Sequence, residues 1–161
     1  MCGAVKRESF TIASPLGNLR VVLDEDTLVQ LDYGVRAAGR KQVLSAYAKT
    51  VSKQIQQYFK NPAAGFNLKL DMQGTPFQKR VWRSLLRIPT GQTRTYGQLA
   101  KHLNSSARAV GNACRQNPIP LVVPCHRVVA QQGLGGFSGK TSGKPIQRKR
   151  WLLCHEGALS S

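Results

Sequence analysis

The feature that most constrains the fold of this chain is a change in charge about halfway along it. Residues 1–74 hold ten Lys or Arg and six Asp or Glu, whereas residues 75–161 hold fourteen Lys or Arg and one Glu. A turn-rich joint, Gln73-Gly74-Thr75-Pro76, lies at the change. A chain of 161 residues is long enough for two small hydrophobic cores. We therefore expect two domains, residues 1–74 and residues 75–161.

The basic second half predicts a polyanionic partner. The chain carries a net charge of +17, of which +13 falls in residues 75–161. Lys and Arg contacts with phosphates release counterions, so this balance favours nucleic acid; a basic protein of another kind, such as a ribosome-associated one, is the alternative. No apolar stretch approaches the roughly 20 residues of a membrane helix, and the start lacks the apolar segment of a signal peptide. We expect a cytoplasmic protein without membrane contact and with reduced cysteines.

The first half has the pattern of a small α/β domain. Three segments read as strands joined by turns, and a stripe of apolar residues four apart predicts a core-facing helix after them. We expect three antiparallel strands and one or two helices. The strands are Ser9 to Ala13, Leu19 to Leu23 and Leu28 to Tyr33, and the stripe is Val43, Tyr47, Val51, Ile55 and Phe59.

The second half predicts a helix-turn-helix. Thr75 and Pro76 are suited to begin a helix, and two later helices, Gly97 to Leu103 and Ala107 to Gln116, flank the turn Asn104-Ser105-Ser106. The second helix of this motif, Ala107 to Gln116, has few of the long polar side chains that read bases in a major groove. Its small residues and its one early arginine, Arg108, suit a narrow groove or a close phosphate wall. The alternative is that the alanines pack against another helix and that Arg108 is solvated.

Cys125 is the candidate nucleophile. The run Pro124-Cys125-His126-Arg127-Val128-Val129 follows an apolar segment and places a thiol beside an imidazole and a guanidinium. A thiolate is the attacking species, so we expect nearby positive charge and a base, His126, to favour it. Glu156, the only acid after residue 74, is the group expected to orient the histidine. The alternative is a buried structural cysteine.

The surrounding blocks resemble the O6-alkylguanine-DNA alkyltransferases, the methylated-DNA–protein-cysteine methyltransferases. The resemblance follows the family's order and covers most of residues 75–157; residues 1–74 match loosely. It implies a ribonuclease H-like N-terminal domain and a mostly α, winged helix-turn-helix-like C-terminal domain. The blocks are 91–100, 107–111, 115–120, Pro124 to Val129, Phe137-Ser138-Gly139 and 151–157.

The resemblance also implies the chemistry. An alkyl group would pass from O6 of guanine, or O4 of thymine, in double-stranded DNA to Cys125, once per protein molecule and without a cofactor, the protein acting as a monomer. His126, through a water and held by Glu156, would accept the thiol proton, and Tyr96 would give a proton to the leaving guanine. Because the reactive atom is hidden inside a duplex, the base must be flipped out of it.

The remaining roles follow from the same resemblance. The second helix of the motif would enter the minor groove, with Arg108 in the place of the flipped base and contacts from Ala107, Ala109, Gly111 and Arg115. Asn117 would link this helix to the active-site segment. The substrate pocket would be formed by Val128, Phe137, Ser138 and Gly139.

Two features depart from the family pattern. Phe137 stands where a tyrosine is frequent, which affects the range of alkyl groups, and the basic segment 140–150 is longer than usual; it is either a phosphate contact or a solvated loop. We expect no metal, because residues 1–74 contain one cysteine, Cys2, and no histidine.

Two other functions remain open at this point. One is a protein that recognises alkylated guanine without removing the group, although such relatives lack the reactive cysteine. The other is a winged-helix regulator with a buried cysteine, which has no use for the tyrosine, asparagine and Cys-His-Glu set.

Overall fold

The computed structural model describes residues 7–37, 39, 42–136 and 142–160. Its contacts divide the chain into two compact units, Met1–Gln73 and Gly74–Ser161. No helix in the described ranges is long and apolar enough to cross a bilayer.

The first unit is a three-stranded antiparallel sheet with one α-helix. The strands are β1 (Arg7–Ile12), β2 (Leu19–Asp24) and β3 (Thr27–Tyr33), in the order β1-β2-β3. The helix is α1 (Ala46–Lys60), followed by a short 3-10 turn (Pro62–Ala64). Strand alternation directs apolar side chains into one core, with Phe10, Ile12, Leu19, Val21, Leu23, Leu28 and Leu31 buried. The predicted sheet and helix of the first half are confirmed.

The start of α1 is later than its apolar stripe suggested. Ser45 caps the helix by accepting a hydrogen bond from the amide of Ala48 at 3.1 Å, and Glu8 of β1 accepts one from the amide of Ser45 at 3.0 Å. Val43 therefore precedes the helix and is 93% exposed, so its predicted place in the core is wrong. Val51 and Ile55 are buried as expected, together with Tyr58.

The second unit is mostly helical. Its elements are α2 (Pro76–Leu86), β4 (Arg94–Thr95), α3 (Tyr96–His102), α4 (Ala107–Arg115), a 3-10 turn (Cys125–Arg127), β5 (Val128–Val129) and α5 (Lys144–His155). β4 and β5 pair in parallel, which places the start of α3 beside the end of the 3-10 turn. The predicted helix-turn-helix corresponds to α3 and α4.

Local signals explain where these helices begin. Thr75 forms a reciprocal capping box with Gln78, and Thr95 forms one with Gln98. Ser106 caps α4 by accepting a hydrogen bond from the amide of Ala109 at 3.1 Å. The indole of Trp82 on α2 donates a 2.8 Å hydrogen bond to the carbonyl of Ala113, so α4 is fixed to the core along one face.

Candidate active site

The segment that carries Cys125 is held in shape by Asn117. The amide nitrogen of Asn117 donates to the carbonyl of Val123 at 2.8 Å, and its oxygen accepts from the amide of Ile119 at 2.9 Å. Asn117 lies two residues after the last residue of α4, so one side chain joins the end of that helix to the chain before Cys125. Leu121, buried within the bridged segment, has a φ of 77°, a conformation that costs a side-chain-bearing residue free energy.

His126 and Glu156 meet in the interior of the second unit. The Nε2 atom of His126 lies 2.8 Å from Oε2 of Glu156, and neither side chain is exposed. A carboxylate accepts but does not donate, so Nε2 carries the hydrogen and Nδ1 keeps its lone pair. Nδ1 is buried and makes no hydrogen bond within the described residues. The pair therefore presents a neutral imidazole with one basic nitrogen.

Arg127 is a member of this cluster that the sequence interpretation did not assign. Its guanidinium donates to both oxygens of Glu156, at 2.9 and 3.0 Å, to the carbonyl of Ile88 at 2.6 Å and to the hydroxyl of Thr90 at 3.1 Å. Such a forked contact fixes the orientation of the carboxylate. The signal was present in the sequence, because a lone acid among fourteen cations needs a partner and Arg127 adjoins the predicted base.

The protonation state of Cys125 differs from the one expected from the sequence. Burial raises the pKa of Cys125, and a hydrogen bond with Asn117 and the charge of Lys149 only partly oppose this. Nearby charge therefore favours the thiolate as expected, but burial outweighs it, and the thiol is the stable form in the protein without substrate. Burial lowers the pKa of His126, since desolvation outweighs the contact with Glu156, and the imidazole is left neutral.

Tyr96, the first residue of α3, lies against the loop that follows β5. Its hydroxyl donates to the carbonyl of Gly136 at 3.3 Å. Gly135, at a φ of 73°, leaves no room for a side chain, because a Cβ there would lie 2.9 Å from the Tyr96 ring. Burial raises the pKa of Tyr96, so the phenol keeps its proton and is a donor.

Lys149 is a second unassigned member of the site. The predicted loop 140–150 is helical from Lys144 in α5, and Lys149 is fully buried in that helix. Its ammonium donates to the carbonyls of Val128 at 2.6 Å and Gly136 at 2.8 Å and lies 5.7 Å from the centre of the Tyr96 ring. A solvated loop is therefore wrong at this position. The basic composition of the segment concealed a side chain that points inward.

α4 carries the residues predicted to meet DNA. Ala107, Arg108 and Arg115 are exposed, and Ala109 and Gly111 are half-buried on the same helix. Ala113 is 2% exposed and belongs to the core, so helix packing, the alternative interpretation of the alanines, holds for that residue. Gly111 faces the ring of Tyr96, which lies 4.0 Å from where its Cβ would be.

Three of the predicted pocket residues, Phe137, Ser138 and Gly139, lie outside the described residues. The fourth, Val128, is buried in β5. Within the part of the chain that the structure describes, no three His, Cys, Asp or Glu side chains are grouped so as to hold a metal ion.

The fold and this cluster define a helix-turn-helix protein with a candidate cysteine nucleophile, and two family models identify the group. The ribonuclease-like domain of 6-O-methylguanine DNA methyltransferase matches residues 9–72, and the DNA binding domain of that family matches residues 76–158. The chain belongs to the 6-O-methylguanine DNA methyltransferase family, as its motifs predicted.

Individual relatives agree with the assignment. A methylated-DNA–protein-cysteine methyltransferase of Shigella flexneri is 40% identical over an aligned region that covers 92% of this chain and 94% of that protein. The crystal structure of the Mycobacterium tuberculosis O6-methylguanine methyltransferase is similar with a TM-score of 0.81 at 36% identity, over 95% of this chain and 94% of that one. A crystal structure of OGT from the same organism in complex with DNA is similar with a TM-score of 0.75 at 37% identity. The match covers 93% of this chain and 92% of that one.

Proposed function

We propose that this protein repairs double-stranded DNA by transferring an alkyl group from O6 of guanine, or O4 of thymine, to its own Cys125. The observation that carries the proposal is the buried His126–Glu156–Arg127 network directly after the buried Cys125, in a turn that follows the helix-turn-helix. Residues 75–161 would be the DNA-binding and catalytic domain and residues 1–74 the α/β domain. The curated relatives are named for this activity.

The transfer is a displacement at carbon. The Cys125 sulfur forms a bond to the alkyl carbon while the bond from that carbon to O6 breaks, and the electron pair of that bond passes to the guanine. The thiol proton goes through a water to Nδ1 of His126, which is neutral and therefore able to accept it. The imidazolium so formed is stabilised by Glu156, which Arg127 holds in place.

Tyr96 completes the proton balance. Its phenol is protonated, lies beside the loop of Gly135 and Gly136, and gives its proton to the leaving guanine. One proton must then return from His126 to Tyr96 through solvent, so the net change moves the thiol proton to guanine. The product at Cys125 is a thioether, a bond that acid–base side chains do not hydrolyse, and each molecule therefore acts once.

The basic surface of α4 supports minor-groove binding and base flipping. Arg108 is exposed in its first turn, where it would fill the space that the flipped nucleotide leaves, at a cost of unstacking of a few kcal/mol. Ala107, Ala109 and Gly111 let the helix approach the DNA closely, and Arg115 at its end would contact phosphate. We expect a cytoplasmic monomer that needs no cofactor.

The test is the intact mass of the protein after incubation with a duplex that bears one O6-methylguanine. We expect a gain of one methylene unit, mapped to Cys125 by peptide analysis and absent in Cys125→Ala. Cys154→Ala, which removes the half-buried thiol of α5, is the matched control and should gain the same mass. Binding of the duplex without any gain in mass would instead mean a damage sensor and would refute transfer.

A further inference from the structure

Lys149 carries a charge into the interior of the second unit without a carboxylate to balance it. Its side chain is fully buried, and its ammonium donates to the backbone carbonyls of Val128 and Gly136. No ion pair of Lys149 occurs in the described part of the chain, and Glu156, the only acid of residues 75–161, bonds to His126 and Arg127.

Stability alone does not account for such a side chain. Moving an ammonium out of water costs several kcal/mol even after the protein relaxes, and a methionine would fill a similar space in α5 without that cost. The charge is placed where four titratable groups face it: Tyr96 from α3, Cys114 from α4, and Cys125 and His126 from the 3-10 turn. Burial lowers the pKa of Lys149 to about 8.

We infer that Lys149 is a positioning residue for alkyl transfer, one that holds the carbonyls of Val128 and Gly136 in place and stabilises the Cys125 thiolate as it forms. The inference rests on the proposed function and deepens it. It accounts for a nucleophile whose environment otherwise disfavours ionisation, because a fixed cation inside a poorly solvated site interacts strongly with a new anion and needs no reorganisation.

The two hydrogen bonds of Lys149 extend the effect to the proton donor. The carbonyl of Gly136 accepts from both Lys149 and the hydroxyl of Tyr96, at 2.8 and 3.3 Å. The ammonium therefore holds the loop against which the phenol is placed. Val128, the other acceptor, lies in β5 directly after the Cys125 turn, so both ends of the 128–136 segment are fixed by one side chain.

The test separates the charge from the hydrogen bonds. Lys149→Gln keeps an N–H donor but loses the charge, and Lys149→Met loses both. We expect the single-turnover rate constant for methyl transfer to fall about 100-fold in the glutamine variant and further in the methionine variant. Affinity for the O6-methylguanine duplex is measured in a Cys125→Ala background, which cannot react. Adding either Lys149 substitution to that background should change the affinity by no more than about two-fold. Lys53→Met, the same charge change on the exposed side of α1, should transfer at the rate of the unaltered protein.

The pH dependence of the transfer rate constant distinguishes this role of Lys149 from a purely structural one. In the unaltered protein the transfer rate constant should fall above about pH 8, as Lys149 loses its proton. In Lys149→Gln that alkaline fall should disappear.

Three outcomes would overturn the inference: wild-type transfer by the glutamine variant, loss of duplex affinity in place of rate, or the absence of an alkaline fall in the unaltered protein. The last of these tests uses the unaltered protein, so it remains valid even if both variants fail to fold. Absence of any methyl transfer to Cys125 in the unaltered protein would instead reject the proposed function.

Discussion

The two units of this protein bury different kinds of side chain. In the first, the described interior is mainly apolar, with Phe10, Leu19, Val21 and Ile55 among its members. Among the residues that the structure describes, the buried polar or charged ones lie in the second unit and are His126, Arg127, Lys149 and Glu156. Apolar burial stabilises a fold directly, while buried charges are costly unless each has partners. The difference separates a unit built for stability from one that keeps an expensive interior for its chemistry.

Backbone strain follows the same division. The left-handed residue Glu25 lies in the exposed turn between β2 and β3. Leu121 has a similar φ but is buried four residues before Cys125, in the segment that Asn117 bridges. Such strain costs of order 1–3 kcal/mol and persists only where the surroundings impose it. The second unit therefore holds strained backbone as well as charge beside its candidate nucleophile.

The largest expected effect comes from breaking the buried cluster. Glu156→Gln leaves Arg127 buried without its carboxylate, which should lower the free energy of unfolding by about 3–5 kcal/mol. It should also slow methyl transfer by about 100-fold or more, because the histidine loses the group that orients it. Urea denaturation followed by circular dichroism and single-turnover assays measure the two effects.

The matched control for this change is Glu8→Gln in the first unit. Glu8 also accepts hydrogen bonds, from the amide and hydroxyl of Ser45, but it is only half-buried and these hydrogen bonds are exposed. Its replacement should cost much less stability and leave the transfer rate unchanged. Equal costs for the two substitutions would contradict the distinction between the units.

A slightly smaller effect should come from the apolar core of the first unit. Ile55 is fully buried in α1, and Ile55→Ala should lower stability by about 3 kcal/mol through lost burial and a cavity. Amide exchange in β2 should become faster, while the transfer rate constant at a temperature where the protein is folded stays the same. A rate that fell together with stability would show that the chemistry depends on this core.

The smallest expected effect is a decrease in the free energy of unfolding at acidic pH. Because burial lowers the pKa of His126 below its ordinary 6.5, the unfolded chain gains a proton near that pH while the folded protein does not. The free energy of unfolding should be fully retained above about pH 6.5 and fall below it, by up to about 1.4 kcal/mol per pH unit, until the folded-state pKa is reached.

Urea transitions between about pH 7.5 and about pH 5 measure this slope. The fluorescence of Trp82 and Trp151 reports the second unit alone, because the first has no tryptophan, and residues 1–74 also contain no histidine. His126→Gln should have the shallower dependence on pH. The same slope in both proteins would mean that His126 is not held neutral.

Much of the fold follows from signals within a few residues of one another. Thr75, Thr95 and Ser106 begin their helices through contacts three residues away, and strand alternation predicts the three-stranded sheet. Such signals also predicted the helix-turn-helix within one residue at its ends. They failed at Val43, whose spacing fits the stripe of α1 but whose position precedes the cap at Ser45.

By itself, the sequence determined the family, the candidate nucleophile and the order of the elements, because these depend on short motifs and local periodicity. Only the tertiary structure decided that Arg127 holds Glu156, 29 residues away, that Lys149 points inward to the carbonyl of Val128, 21 residues away, and that the thiol of Cys125 is protonated. The physical reason is that burial and charge pairing depend on which side of each helix faces the interior. That orientation is set by packing between distant segments, and packing also sets the pKa values on which the chemistry depends.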